Sequence, residues 1–307
     1  MKILVTGGAG FIGSHIIKKL LQLNYQVTVL DNLSTGNKNN LKNLDINFIY
    51  GDVNDLEVCK KATKNIDLIC HQAALGSVPR SIKDPLSSHK SNVNGFLNIL
   101  WCAKENNIKR VVYASSSSVY GDEKSLPKKE NKVGNLLSPY AVTKHINEEY
   151  AKIFFKCYGL QCIGLRYFNI FGPRQDPNGP YAAVIPKFIK LIKQNQTPTI
   201  NGDGSYSRDF TYVDNAVSAN ILALTTNNSK CFGEVFNIGA EGQITLNILY
   251  ETISKGLNFN QSPIYGEIRK GDIPHSNADI SKSKNLLNYN PGITFEEGIN
   301  RLLEYER

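Results

Sequence analysis

The sequence contains no run of about 18 or more apolar residues, so no membrane-spanning helix of ordinary length is expected. It has no Cys-x-x-Cys pair: Cys59, Cys70, Cys102, Cys157, Cys162 and Cys231 are scattered singly. That spacing suggests neither a metal site nor a disulfide framework, and buried thiols in a reducing cytoplasm are expected. No charged-then-apolar leader stands before the first strand-like run, Lys2-Ile3-Leu4-Val5-Thr6, so no secretory signal is expected either. Basic charge is in excess, at +8, but dense basic runs interleaved with aromatics are missing. The lysines are dispersed, as at Lys18-Lys19, Lys60-Lys61, Lys128-Lys129 and Lys190. They read as a solvated surface that also attracts a small anion, and neither nucleic acid nor membrane is an expected partner.

What is present suits one or two compact domains: 307 residues, 41% of them hydrophobic. The first ~170 residues alternate short β-branched runs with longer amphipathic stretches, the pattern of a doubly wound α/β domain. Strands are expected at Ile3–Thr6, Gln26–Leu30, Asn47–Tyr50, Leu68–Cys70, Arg110–Ala114 and Gln161–Arg166. Helices are expected at Phe11–Leu23, Asn54–Ala62, Pro85–Asn106 and Ser138–Tyr158. After Phe171-Gly172-Pro173-Arg174 the alternation breaks into a loop rich in Gly, Pro and Asp. Beyond it the pattern gives helices near Ala183–Lys193 and Asp214–Thr225 and a strand at Glu234–Ile238. Residues 1–170 therefore read as a cofactor domain. Residues 171–307 read as a smaller mixed α/β substrate region, with some segments returning to the first.

Thr6-Gly7-Gly8-Ala9-Gly10-Phe11-Ile12-Gly13 joins the first strand to the first helix. Gly7 permits a tight turn, Gly10 lets backbone approach a pyrophosphate, and Gly13 allows close packing of helix on strand. The helix start adds unpaired N–H groups and a positive dipole end. Asp31 ends the next strand, where a carboxylate holds ribose hydroxyls and disfavours a 2′-phosphate; NAD is the expected cofactor. Asp52-Val53, after the third strand, is placed for the adenine side or as a helix cap.

Ser138-Pro139-Tyr140-Ala141-Val142-Thr143-Lys144 puts Tyr140 and Lys144 four residues apart on one helical face. A phenol with pKa near ~10 is a poor base at neutral pH. A neighbouring ammonium and a positive nicotinamide are expected to bring it toward the working range. Ser115, Ser116, Ser117 and Ser118 end a strand, on the edge of an α/β sheet where ligands bind; at least one is expected to serve the loop backbone instead.

With these motifs the chain resembles the extended short-chain dehydrogenase/reductases, and within them the UDP-sugar 4-epimerases. The resemblance runs through Gly7–Gly13, Asp31-Asn32, His71-Gln72-Ala73-Ala74, Arg166-Tyr167-Phe168-Asn169, Arg208-Asp209-Phe210 and Gly271-Asp272. It implies a Rossmann-type domain, a homodimer through the helices around Pro85–Asn106 and Ser138–Tyr158, and catalysis by Ser116, Tyr140 and Lys144. It implies an NAD site of Gly7, Gly10, Phe11, Ile12, Gly13, Asp31, Asn32, Ser34, Thr35, Gly36, Asp52, Val53, Gln72, Ala73, Ala74, Leu75, Asn92 and Phe168, beside Tyr140 and Lys144. The implied UDP-sugar set is Gly76, Ser77, Ser116, Ser117, Ser118, Tyr140, Asn169, Val184, Asn201, Arg208, Arg269, Asp272 and Ser276. Guanidinium forks suit a diphosphate.

Three details resemble the UDP-N-acetylglucosamine 4-epimerases of bacterial polysaccharide pathways. They are Ala74–Ser81, the stretch Arg174–Pro186, and Ser276 where galactose-only relatives carry tyrosine. A 4,6-dehydratase or a UDP-glucuronate decarboxylase resembles the chain less, because the acidic residues those enzymes need are replaced by Ser117 and Ser118, which lack a useful acid pKa. A UDP-glucuronate or UDP-GlcNAc-uronate 4-epimerase stays open as an alternative. So does a non-catalytic dinucleotide sensor or RNA-binding relative, although such proteins commonly lose the Tyr/Lys pair kept here.

Overall fold

In the computed structural model, residues 1–178, 182–268 and 273–307 are described. Six strands follow in the first half: β1 (Lys2–Thr6), β2 (Gln26–Asp31), β3 (Asn47–Tyr50), β4 (Leu68–His71), β5 (Arg110–Ser116) and β6 (Gln161–Tyr167). A seventh, β7 (Glu234–Ile238), comes from the second half and pairs in parallel with β6. The sheet is all parallel in the order β7-β6-β5-β4-β1-β2-β3. Central strands covered on both faces read as near-continuous apolar runs, and β4 (Leu-Ile-Cys-His) is buried throughout. Chain order reverses at β1, which lies between β2 and β4. That places a ligand crevice outside the carboxyl ends of β1 and β4.

Helix α1 (Phe11–Gln22) follows β1, α2 (Leu56–Ala62) follows β3, and α3 (Val78–Lys83) is a short helix opened by a Ser77 cap. The helix expected over Pro85–Asn106 is α4 (Pro85–His89), a π-helical turn at Lys90–Asn94, and α5 (Gly95–Glu105). Such turns mark positions where a helix is adjusted to aim a side chain, and Asn92 lies within this one. The long helix α6 (Pro139–Tyr158) starts on a strong local signal. Ser138 Oγ accepts from Ala141 N at 3.1 Å, Pro139 fills the first turn, and Gly159 ends it in the left-handed region at φ 70°.

The second half builds around α7 (Val184–Lys193), α8 (Val213–Thr225), α9 (Leu246–Gly256), α10 (Ser281–Leu287) and α11 (Phe295–Glu306). Its extended segments are short. Ile170–Phe171 pairs with Thr211–Tyr212, Thr199–Asn201 with Ile264–Gly266, and Ser207–Arg208 lies between Ile244–Thr245 and His275–Ser276. Helix α8 packs on α1 and the sheet, so the later chain covers one face of the earlier domain. The apolar core is accordingly continuous from Ile3 and Ile17 to Leu302 and Leu303. Among the described residues no helix is long and apolar enough to cross a membrane.

Candidate active site

A cavity of about 1200 Å³ opens at the carboxyl edge of the sheet. Its floor is the Gly-rich loop. Gly7 has φ 66°, and a Cβ there would lie 2.6 Å from Ala73 N; a Cβ on Gly13 would lie 2.3 Å from Gly7 O. Loop, helix and the end of β4 are thus pressed together in a way only glycine permits. Gly10 caps α1 without a side chain, and no acidic residue stands in the first turn, so the helix start remains a site for an anion. Asp31 sits 7% exposed on the wall, with Oδ2 accepting from Ala9 N at 2.9 Å and Oδ1 from Leu33 N at 2.8 Å. Two bonds orient the carboxylate and leave lone pairs for hydroxyl donors. Asn32, Ser34, Thr35 and Gly36 continue that wall.

Asp52 accepts from Asn32 Nδ2 and Asn54 N, each at 2.8 Å. Burial opposes its ionisation, but the bonds from Asn54 and Asn32 hold the carboxyl below its ordinary range. Val53, Gln72, Ala73, Ala74, Leu75 and Gly76 complete this side, with Phe11 and Ile12 opposite. The cradle fits a dinucleotide: a glycine floor, free amides at one end, and a fixed carboxylate at the other.

The three expected catalytic residues meet in the same cavity. Lys144 Nζ donates to Ala114 O at 2.7 Å and lies 5.9 Å from the centre of the Tyr140 ring. Tyr140 N donates to Ser81 Oγ at 3.0 Å, and Ser116 stands near enough to its hydroxyl to favour the ionised form. Burial raises the Tyr140 pKa, and Ser116 acts the other way. Burial also pushes the Lys144 ammonium down to about 8, with Glu148 acting the other way. The protein alone therefore keeps Tyr140 a phenol, because desolvation of a buried phenolate exceeds the pull of an ammonium lying beneath the ring. Ionisation awaits further positive charge in the cavity.

A second cavity of about 320 Å³ adjoins the first, sharing Asn169, Ile170 and Gln175. Asn169 holds the left-handed value φ 36° at the junction. Val184, Asn201 and Arg208 line this second space. Arg208 Nη1 donates to Ser207 O at 2.9 Å and Pro274 O at 3.2 Å. Ser276 pairs in register with Arg208 across neighbouring strands, so the two side chains share a face. Arg269 and Asp272 lie outside the described residues.

Other expected residues stand behind the walls. Asn92, fully buried, accepts from Leu75 N at 2.7 Å and donates to Thr143 Oγ1 at 3.1 Å, tying the turn after β4 to α6. Phe168 is buried with its N donating to Ile238 O at 3.0 Å. Ser77 caps α3 by accepting from Arg80 N at 3.2 Å. Ser117 opens a short 3₁₀ turn to Tyr120. Ser116 accepts from Ser118 N at 3.2 Å, and Ser118 Oγ has no hydrogen-bond partner among the described residues.

The cavity also holds residues that sequence reasoning did not assign to a site: Leu33, Asn40, Ser91, Tyr167 and Arg174. The turn Gly172-Pro173-Arg174 carried the only visible signal, as a break in periodicity.

The sequence profile of the NAD dependent epimerase/dehydratase family matches residues 3–239. A putative UDP-glucose 4-epimerase of Methanocaldococcus jannaschii is 41% identical over 305 residues, 99% of this chain and 97% of that protein. Among solved structures, the UDP-N-acetylglucosamine 4-epimerase of Methanobrevibacter ruminantium M1, in complex with UDP-N-acetylmuramic acid, is 42% identical. It superposes with a TM-score of 0.94 over 99% of this chain and 97% of that one. The UDP-glucose 4-epimerase of Thermotoga maritima with UDP-glucose is 36% identical, with a TM-score of 0.95 over 100% and 99% of the two chains.

Proposed function

The chain belongs to the NAD dependent epimerase/dehydratase family, and we propose that it interconverts the C4 epimers UDP-GlcNAc and UDP-GalNAc, with UDP-glucose and UDP-galactose as further substrates. One observation carries the reading: Tyr140, Ser116 and Lys144 stand in a dinucleotide-shaped cavity that opens, at Asn169, into a second cavity edged by Arg208. When bound, NAD supplies a reversible acceptor for the C4 hydride, which explains why a net redox partner is not needed. Gly7–Gly13 and Asp31 hold it.

The chain's own residues handle protons and orientation. Tyr140 removes the C4 hydroxyl proton and returns it after the sugar has presented its other face. Ser116, near the Tyr140 hydroxyl, steadies the C4 oxygen through both half-reactions. Lys144, anchored on Ala114 O, holds the cofactor ribose and supplies positive charge beneath the phenol. Asn169, Val184, Asn201 and Arg208 hold the UDP group in the adjoining cavity, so the hexose spans the junction. The small Ser276 beside Arg208 supports the choice of an N-acetylhexosamine, since it leaves room a tyrosine would fill.

A homodimer belongs to the same reading. Trp101 on α5 and Val142, Ile153 and Tyr158 on α6 are exposed large apolar side chains, a pattern favouring a protein partner. Incubating the pure protein with UDP-GlcNAc, UDP-glucose, UDP-glucuronate and UDP-GlcNAc-uronate, and chromatographing the products, tests the proposal. Conversion confined to a uronate would overturn the substrate assignment, and no conversion at all would overturn the enzyme.

A further inference from the structure

Arg174 stands out in the cofactor cavity. Its backbone is left-handed, φ 69°, a conformation uncommon for residues other than Gly, Asn and Asp, and one that persists where the surroundings over-determine it. Both flanks pin it over the start of α1. Pro173 O accepts from His15 Nε2 at 2.9 Å, one turn into that helix. On the other side Arg174 Nη1 approaches Asn40 O at 3.4 Å, and Asn40 Nδ2 donates to Ala9 O, within the Gly-rich loop, at 2.9 Å.

The guanidinium is partly buried, and burial lowers its pKa. Among the described residues its one hydrogen bond is the long contact to Asn40. Nearby carboxylates are engaged elsewhere: Asp214 faces Arg301 at 3.4 Å, Asp176 accepts from Asn178 N at 2.8 Å, and Glu306 faces Lys193 at 3.6 Å. A cation partly removed from water and held in a strained backbone, beside uncapped helix amides, is a site prepared for a phosphate-type anion.

We infer that Arg174 clamps the diphosphate of the dinucleotide against the start of α1, as a cofactor-binding residue supplied by the second half of the chain. The inference rests on the NAD reading of the cavity. It also explains the turn: Gly172-Pro173-Arg174 carries the chain from the sheet back over the Gly-rich loop, so the later chain closes the site the earlier chain opens.

Arg174→Met tests it in the full-length protein after cofactor exchange, with NAD, ADP-ribose, adenosine and UDP titrated separately. Loss of a charge-assisted fork should weaken NAD and ADP-ribose by roughly 10- to 100-fold, and leave adenosine and UDP unchanged. Arg174→Lys should recover part of the loss, since a point charge replaces the fork. Arg174→Gly guards against misfolding: it suits φ 69°, so the cofactor-free melting temperature should hold or rise while NAD affinity falls as in the methionine variant. Unchanged NAD affinity in Arg174→Gly would overturn the clamp, as would weakening of UDP or an equal loss on adenosine. Wild-type protein that binds no NAD would instead overturn the cofactor reading itself.

Discussion

The two cavities are built on different principles. The cofactor cavity stands on the edge of a seven-stranded parallel sheet, and part of its lining comes in runs at strand ends: Gly10–Gly13, Asp31–Gly36 and Gln72–Gly76. The adjoining cavity draws Asn169, Val184, Asn201, Arg208 and Leu246 from separate two- and three-residue strands and from helix starts. One is a pre-formed pleated edge; the other exists only when distant segments return to the same place. The candidate catalytic residues belong to the sheet side, with Tyr140 and Lys144 on α6 and Ser116 at the end of β5. Recognition of the sugar nucleotide is assigned to the assembled side, where residues can vary without disturbing the sheet.

The largest effect that separates the two sides is expected from Tyr140→Phe. Removing the hydroxyl should lower kcat by about 10²- to 10⁴-fold while leaving UDP affinity, measured by titration, as it was. A parallel loss of UDP binding would mean that the two cavities are not independent.

Next comes the buried pair between α6 and β6. Arg166 donates to Glu148 at 2.7 and 2.9 Å, and Ser115 Oγ donates to the same carboxylate at 2.5 Å. Arg166→Met removes the ion-pair partner of buried Glu148 and leaves it only the Ser115 hydroxyl, a cost of about 3–5 kcal/mol in unfolding free energy. The double variant with Glu148→Gln should lose less than the sum of the single changes, as a denaturant cycle would record.

Acid should weaken the cofactor side in particular. Burial pushes His15 down to about 4 and His71 to about 3 from 6.5. Both folded pKa values lie below the unfolded one, so their neutral forms cost nothing above pH 6.5. Stability is then lost as pH falls from 6.5 toward 4 and below, because the unfolded chain takes up the protons. His15 alone accounts for about 3 kcal/mol of order-of-magnitude loss. Asp209, buried and pushed up to about 6, acts oppositely over pH 6 to 4 and offsets part of it. Urea midpoints at pH 7 and pH 5 check the sign: the wild type should unfold earlier at pH 5, and His15→Asn should flatten the difference. A higher midpoint at pH 5 would contradict the balance.

The smallest change belongs to the strand beside Arg208. Ser276→Tyr should reduce kcat/KM for UDP-GlcNAc and UDP-GalNAc by the equivalent of ~1–3 kcal/mol and spare UDP-glucose and UDP-galactose. A uniform fall on all four would report damage to the Ser207–Arg208 strand, not selection at C2.

Much of this was legible before the structure. The strands β1 to β6 and the helices α1, α2, α6, α7 and α8 lie within a residue or two of their sequence expectations, and Glu234–Ile238 matches to the residue. These elements carry their own signals: β-branched runs, a Ser-Pro helix start, glycines where no Cβ fits. The short helix α3, the later helices α9, α10 and α11, and the two-residue strands carry weak ones, and sequence reading did not find them.

Sequence alone determined what local spacing can determine: the Gly7–Gly13 turn, the carboxylate ending β2, and the four-residue step from Tyr140 to Lys144. Tertiary structure decided the rest. It set Asn92 behind Leu75 instead of in the cavity, put β7 beside β6, brought Arg174 over α1 and laid Ser276 beside Arg208. It also made burial the leading influence on Tyr140 within the protein, since desolvation is a property of the packed interior that no four-residue spacing records.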